Sequence, residues 1–284
     1  MFNIINGKEI SEKLQSEIKN EIEKLKCEKN TTPSLAVIIV GENPASRVYV
    51  NNKKRACEAV GIKSYEFAMP ENTSEEELLQ IITDLNNRKD INGILVQLPL
   101  PSHINEKKVI EKIKPIKDVD AFHELNVGKI MTNNYNFLPC TPAGIIKLLE
   151  ESNIEIAGKH CVVIGRSNIV GKPLAMLMLH RDATVTICHS KTQNLSQICK
   201  SADILVAAVG KAKFVTAEMI KPGAVVIDVG INRLENGKLC GDVDFDAVKS
   251  VVSYITPVPG GVGPMTISML MKNTLTAALL QSTN

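Results

Sequence analysis

The chain has no marked excess of either charge, no long apolar run, no paired-cysteine motif and no low-complexity tract, and each absence removes a class of function. A formal net charge of +2, from 33 basic and 31 acidic residues that are interspersed, leaves no electrostatic footprint for nucleic acid or for an anionic membrane surface. No apolar run reaches the length that crosses a bilayer. Seven cysteines, an odd number with no CxxC spacing and several inside apolar runs, read as buried thiols of a reducing compartment. Lys8, Glu9, Glu12, Lys13 and Glu17 leave room for neither a secretory apolar core nor an acid-poor transit segment. Solenoid repeats and heptad arrays are also missing. The expectation is a cytoplasmic folded protein, whose 284 residues at 44% hydrophobic content suffice for one large or two ordinary domains.

The first half alternates helix and strand patterns: helix over 10–25, strand 35–40, helix 45–60, strand 64–68, helix 74–87 and strand 94–98. Such alternation implies a parallel sheet covered by helices. A stretch rich in lysine, asparagine and proline, 103–142, reads as a linking region with one helix near 105–113 and a domain boundary near Cys140. The second half resumes with strands 160–164, 184–188, 204–208, 224–228 and 253–256 and helices 170–180 and 194–200, a compact Rossmann-type pattern. After Pro264, a last helix carries Ile267, Leu270, Met271, Leu275, Ala278 and Leu279 at three- and four-residue spacings. They form one apolar stripe that packs most simply back across the first domain.

The most informative stretch is CVVIGRSNIVGKP, 161–173, a β-branched strand running into a glycine turn and a helix. Gly165 and Gly171 bracket a turn whose amides point at an anion from a helix N-terminus. The fit to GxGxxG is imperfect, because Ser167 replaces the second glycine and the last glycine comes one residue late. The next strand ends in HSKT, 189–192, where an NAD site carries an acid for the ribose 2′-hydroxyl. Ser190, Lys191, Thr192 and Arg166 offer donors and positive charge instead, which favours NADP; the alternative is a solvated loop.

In YVNNK, Tyr49 and Lys53 share one face of a helix, so a phenol and an amine converge, or a surface tyrosine stands beside a solvated lysine. The YxxxK pair of short-chain dehydrogenases follows its glycine turn in the chain, and here the order is reversed. VQLPLP, 96–101, ends a strand at two prolines and leaves Gln97 near the carboxyl edge, where open α/β sheets bind ligands. KDVDAF, 117–122, places Asp118 and Asp120 on alternate residues, which also suits turn and capping chemistry. GDVDFD, 241–246, is not a calcium loop, since Ala247 stands at the glycine position and Ser253 at the terminal glutamate position. PVPGGVGPMT, 257–266, has three glycines and three prolines in its first eight positions, a run that lets backbone approach a flat ligand closely.

Taken together and in this order, YVNNK, VQLPLP, DVDAF, GRSNIVGKP, CHSKT and PVPGGVGPMT closely resemble the bifunctional methylenetetrahydrofolate dehydrogenase/methenyltetrahydrofolate cyclohydrolase (FolD) family, over essentially the whole chain. The resemblance implies a cytoplasmic homodimer of α/β fold. A three-layer catalytic domain, 1–140, joined by the last helix, 264–284, accompanies a Rossmann-type NADP domain, 141–263, with the folate in a cleft between them. It implies that Lys53 is the catalytic lysine, Gln97 its hydrogen-bonding neighbour, Tyr49 an aromatic wall against the folate, and Asp120 the partner of the pterin amino edge. Gly165, Arg166, Ser167, Ser190 and Ile231 are the implied NADP contacts. Gly260, Gly261 and Pro264 border the folate, and no metal is implied. One departure is Ala121, where the family usually has glycine; a positive φ there would cost on the order of 1 kcal/mol and turn Asp120 slightly.

The implied chemistry begins with hydride loss from the methylene carbon between two folate nitrogens, a step that needs alignment more than a base. Water then attacks the methenyl carbon, and Lys53 is the strong candidate for moving protons, because the cation beside it disfavours the ammonium form. Two alternatives remain at this stage: a family member with only one of the two activities, and a non-catalytic NADP sensor that would not need Tyr49, Lys53 and Gln97 together.

Overall fold

The computed structural model describes residues 2–282, and the chain divides into two compact units. One unit comprises Lys13–Cys140 and the segment from Ile267 onward; the other comprises the segment ending at Glu12 and Thr141–Thr266.

The chain opens with β1 (Asn3–Ile4) and α1 (Gly7–Lys29), then continues through β2 (Ser34–Val40), α2 (Pro44–Val60) and β3 (Lys63–Met69). Next come α3 (Glu75–Asn87), β4 (Gly93–Val96), α4 (Glu106–Lys112) and α5 (Glu124–Met131). The sheet of this unit has the order β3-β2-β4 and is parallel throughout. Central β2, SLAVIIV, is buried at every residue, as a parallel strand covered on both faces must be. Ala36, Ile38 and Val40 pack with Leu78, Ile82 and Leu85 of α3 and with Ile94 and Val96 of β4.

The second unit takes up α6 (Cys140–Glu151), β5 (His160–Ile164), α7 (Gly171–Leu179), β6 (Thr184–Cys188), α8 (Leu195–Lys200) and β7 (Ile204–Ala207). It ends with β8 (Val225–Asp228), a small hairpin of β9 (Asn232–Arg233) and β10 (Leu239–Cys240), α9 (Phe245–Val248), β11 (Tyr254–Ile255) and the start of α10 (Val262–Ser282). Its six-stranded sheet has the order β1-β11-β8-β7-β5-β6, all parallel. The winding reverses between β5 and β7, and the crevice at the carboxyl ends of such a strand pair is the binding position of open α/β sheets.

Two stretches differ from the sequence reading. The linking region holds α5, because Asn126 and Ile130 are buried by tertiary packing that a lysine- and asparagine-rich composition masks; α6 begins at its end and runs on past it, with Ile145 and Leu149 buried. The last helix does not carry a single apolar stripe: Leu270, Met271, Leu275 and Ala278 are buried, but so are Ser268, Asn273, Thr274 and Ala277, while Leu279 is 39% exposed. From Ile267 onward it is enclosed nearly all round within the first unit, where Asn273 Nδ2 donates to Val119 O and Leu138 O at 2.8 Å each, and Gln281 Nε2 to Asn92 O at 2.8 Å. It starts two residues earlier than expected, at Val262, and Pro264 is tolerated in a first turn that needs no amide donor.

Two buried aspartates of the second unit hold the loops at its carboxyl edge. Asp228 closes β8 and accepts hydrogen bonds from Gly230 N, Asp242 N and Val243 N at 2.8–3.0 Å. Gly241 makes room for this, since a Cβ there would sit 1.7 Å from Asp228 Oδ2. Gly241→Ala is therefore expected to displace the carboxylate and to lower stability by roughly 2–4 kcal/mol, read as a fall in the urea midpoint.

Candidate active site

Asn43 accepts from Ala45 N and Ser46 N, Pro44 occupies the first turn, and Gly61 closes the helix in the left-handed region at φ +87°; these signals bound α2 and set the face that carries Tyr49 and Lys53. Lys53 is half-buried, and its Nζ donates to Gln97 Oε1 at 3.0 Å. Gln97 in turn is held at the end of β4: its amide donates to Ile38 O at 2.8 Å and its Nε2 to Leu98 O at 2.7 Å. With Nε2 committed to a carbonyl, Oε1 is left facing the amine. Lys53 is thus not the solvated lysine of the bland alternative. Tyr49, one turn earlier, is 39% exposed, and burial of the remainder pushes its phenol pKa up.

The two aspartates of DVDAF separate by environment. Asp118 is buried and accepts from His123 N at 2.9 Å and Asn126 Nδ2 at 2.8 Å, so it is the turn and capping carboxylate. Asp120 has a single hydrogen-bonding partner among the described residues, the weak donor Cys140 Sγ at 3.9 Å. Burial pushes its carboxyl up to about 6, against the pull of the nearby Lys53 charge. The residue that follows, Ala121, sits at φ +58°, the strained conformation expected from its replacement of glycine. Asn273 fixes the peptide before Asp120 through Val119 O and also donates to Cys140 Sγ at 3.6 Å. The sequence reading missed Asn273, whose only signal is an amide at a core position of an apolar helix.

In the second unit, Gly165 follows β5 and takes φ +130°; a Cβ on it would lie 2.3 Å from Ala208 O, just beyond β7. A Cβ on Gly171 would lie 2.1 Å from Gly165 O. Both glycines are required by backbone contact at the point where the winding reverses. The cradle so formed fits a dinucleotide, with the start of α7 closing it. Arg166, Ser167 and Ser190 are exposed around it. Ser167 Oγ accepts from Val170 N at 3.1 Å and Gly171 N at 3.3 Å, so it finishes the helix turn with its lone pairs and does not use its hydroxyl proton there. Thr192 Oγ1 instead accepts from His189 N at 2.8 Å and shapes the HSKT loop.

The glycine loop packs closely on itself and on the start of the chain. A Cβ on Gly261 would meet Pro257 O at 2.6 Å, and one on Gly7 would meet Gly261 O at 1.9 Å, so these glycines serve close packing of the chain on itself. Gly260, at φ +103°, would place a Cβ in ordinary contact with Pro257 Cγ at 4.0 Å, and its carbonyl accepts from Lys8 N at 3.0 Å. Pro264 O accepts from Ser11 Oγ at 3.3 Å. Ile231 is 47% exposed, with its Cδ1 3.7 Å from where a Cβ on Gly263 would stand. Among the described residues, no group of three or more His, Cys, Asp or Glu side chains is arranged to hold a metal, and no helix is long and apolar enough to cross a membrane.

Residues 5–120 match the family described as tetrahydrofolate dehydrogenase/cyclohydrolase, catalytic domain, and residues 139–282 match its NAD(P)-binding domain. A bifunctional protein FolD of Acetivibrio thermocellus is 63% identical over 279 residues, 98% of each chain. The crystal structure of the bifunctional FolD enzyme of Campylobacter jejuni superposes with a TM-score of 0.97 at 48% identity over 99% of each chain. The Trypanosoma brucei FolD structure, complexed with NADP cofactor and inhibitor, gives 0.94 at 40% identity over 98% of each. By sequence over its whole length and by fold, the chain belongs to the tetrahydrofolate dehydrogenase/cyclohydrolase family.

Proposed function

We propose that the chain catalyses NADP-dependent oxidation of 5,10-methylenetetrahydrofolate to the 5,10-methenyl compound and its hydrolysis to 10-formyltetrahydrofolate. The observation that carries both activities on one chain is the Lys53–Gln97 hydrogen bond of 3.0 Å beside the raised carboxyl of Asp120. A non-catalytic sensor has no use for this arrangement. Bound NADP supplies the hydride acceptor, and Gly165, Arg166, Ser167, Ser190 and Ile231 are the residues that hold it. Arg166 and Ser190 give the ribose 2′-phosphate a charge and a donor where an NAD site has an acid.

The folate is oriented by Tyr49 against its ring face and by Asp120 at the pterin amino edge. For hydrolysis, hydroxide equivalent from water adds to the methenyl carbon, the carbon–N5 bond breaks, N5 gains a proton and one proton is released in total. Lys53 moves these protons: Gln97 Oε1 holds one N–H and so turns the amine lone pair, once free, toward the attacking water. Lys13–Cys140 with the last helix from Ile267 form the folate domain and Thr141–Thr266 the nucleotide domain; the segment ending at Glu12, expected in the first, groups with the second. A homodimer in the cytoplasm, with no nucleic-acid partner, completes the reading; the balanced net charge of +2 supports its last part.

Lys53→Met is expected to lower methenyl hydrolysis by about 10²-fold or more, measured as decay of methenyl absorbance, because general acid–base catalysis contributes at that scale; hydrolysis at the parent rate would remove Lys53 from the role. Arg166→Ala and Ser190→Ala should each narrow the ratio of kcat/KM for NADP over NAD by roughly tenfold, the worth of one charge-assisted hydrogen bond. Asp120 keeps its proton more tightly in the folded chain, so its contribution to stability is full below the ordinary carboxyl range near 4 and is lost as pH rises through about 6. Asp120→Asn escapes that loss. Its stability relative to the parent should grow between pH 4 and pH 7.5 by on the order of 2 kcal/mol, while its KM for the folate rises; a pH-independent gap in thermal midpoint would contradict this.

A further inference from the structure

We infer that Asp242 is a positioning residue of the NADP site, acting through the two loops that leave the carboxyl ends of β7 and β8. The inference rests on the reading of the Gly165 turn and Ile231 as NADP contacts. Asp242 lies in GDVDFD, the motif left without a role once a calcium loop was set aside, and it is fully buried. Its Oδ2 accepts from Val209 N at 2.6 Å and Gly210 N at 2.9 Å, and its Oδ1 from Lys211 N and Asn232 Nδ2 at 2.9 Å each. All four partners are neutral N–H groups.

Three consecutive amides converging on one carboxylate set the path of 209–211, and that stretch begins one residue after Ala208, whose carbonyl faces the Gly165 turn. Asn232 ties the second loop to the same carboxylate, one residue after Ile231. Gly230 is what admits the side chain, since a Cβ there would lie 2.2 Å from Asp242 Oδ1. Asp242 is itself held, because its own amide donates to Asp228 Oδ1 at 2.8 Å. The carboxylate therefore ties the loop after β7, which stands at the winding reversal, to the loop after its neighbour β8, and none of its partners belongs to the unit that carries Lys53 and Gln97.

The two activities separate positioning from general support of the fold, since methenyl hydrolysis consumes no NADP. Asp242→Asn keeps the shape but replaces one acceptor oxygen by a donor that opposes the loop amides. NADP binding is measured by isothermal titration calorimetry, alongside methenyl hydrolysis and the thermal midpoint. The expected result is NADP binding at least tenfold weaker, with hydrolytic kcat/KM within twofold of the parent. NADP affinity within twofold of the parent would overturn the inference, as would a parallel fall of both activities with the thermal midpoint. Should Asp242→Asn not fold, Asn232→Ala, which removes one of the four donors, should show the same split at two- to fivefold, and its absence would overturn the inference equally. A parent that binds no NADP would overturn the cofactor reading itself, which a change confined to the variants does not touch.

Discussion

Parallel strands end in loops whose amides no ladder can satisfy, and in this chain buried aspartates take them. Asp118 receives a loop amide and an asparagine side chain after β4, Asp228 three amides after β8, and Asp242 three amides and an asparagine around the β7 loop. Each of these carboxylates costs desolvation and offsets it with several charge-assisted hydrogen bonds. The loops at both carboxyl edges, where ligands of such sheets bind, are consequently tied to the fold by buried side chains.

Asp120 stands out against that background. It lies two residues from Asp118 in the same motif, yet no backbone amide satisfies it, and its carboxyl is raised to about 6. A half-buried carboxylate with spare acceptor capacity is a liability for folding and an asset for recognising a donor edge on a ligand. The neighbouring Ala121 at φ +58° adds backbone strain at the same place. Stability is thus spent where the folate is expected to dock, and Asn273, reaching in from the last helix to Val119 O, is one of the contacts that holds the strained segment in shape.

Strands β2, β5 and β6 were legible because β-branched runs bounded by turn residues leave little choice, and α2 because asparagine, proline and glycine mark both its ends. Strand β1 was not, since two exposed residues become a strand only by pairing with β11. Helix α5 was hidden in a polar stretch whose burial comes from distant segments, and α6, which starts at the end of that stretch, was passed over despite its apolar Ile145, Ile146, Leu148 and Leu149. The close packing of Gly7 against Gly261 was not legible, because the two backbone segments that touch there are some 250 residues apart in the chain.

Local chemistry alone determined the alternation of strands and helices, the Gly165–Gly171 turn, the shared helix face of Tyr49 and Lys53, and the absence of an acid after β6, because each is written within a few neighbouring residues. Which carboxylate is structural and which is available, that Gln97 Oε1 faces Lys53, and that Asp242 governs loops some 10 and 30 residues earlier in the chain were decided only by tertiary structure. The reason is physical: a carboxylate's role depends on the number of donors that surround it, and in this chain those donors arrive from other strands.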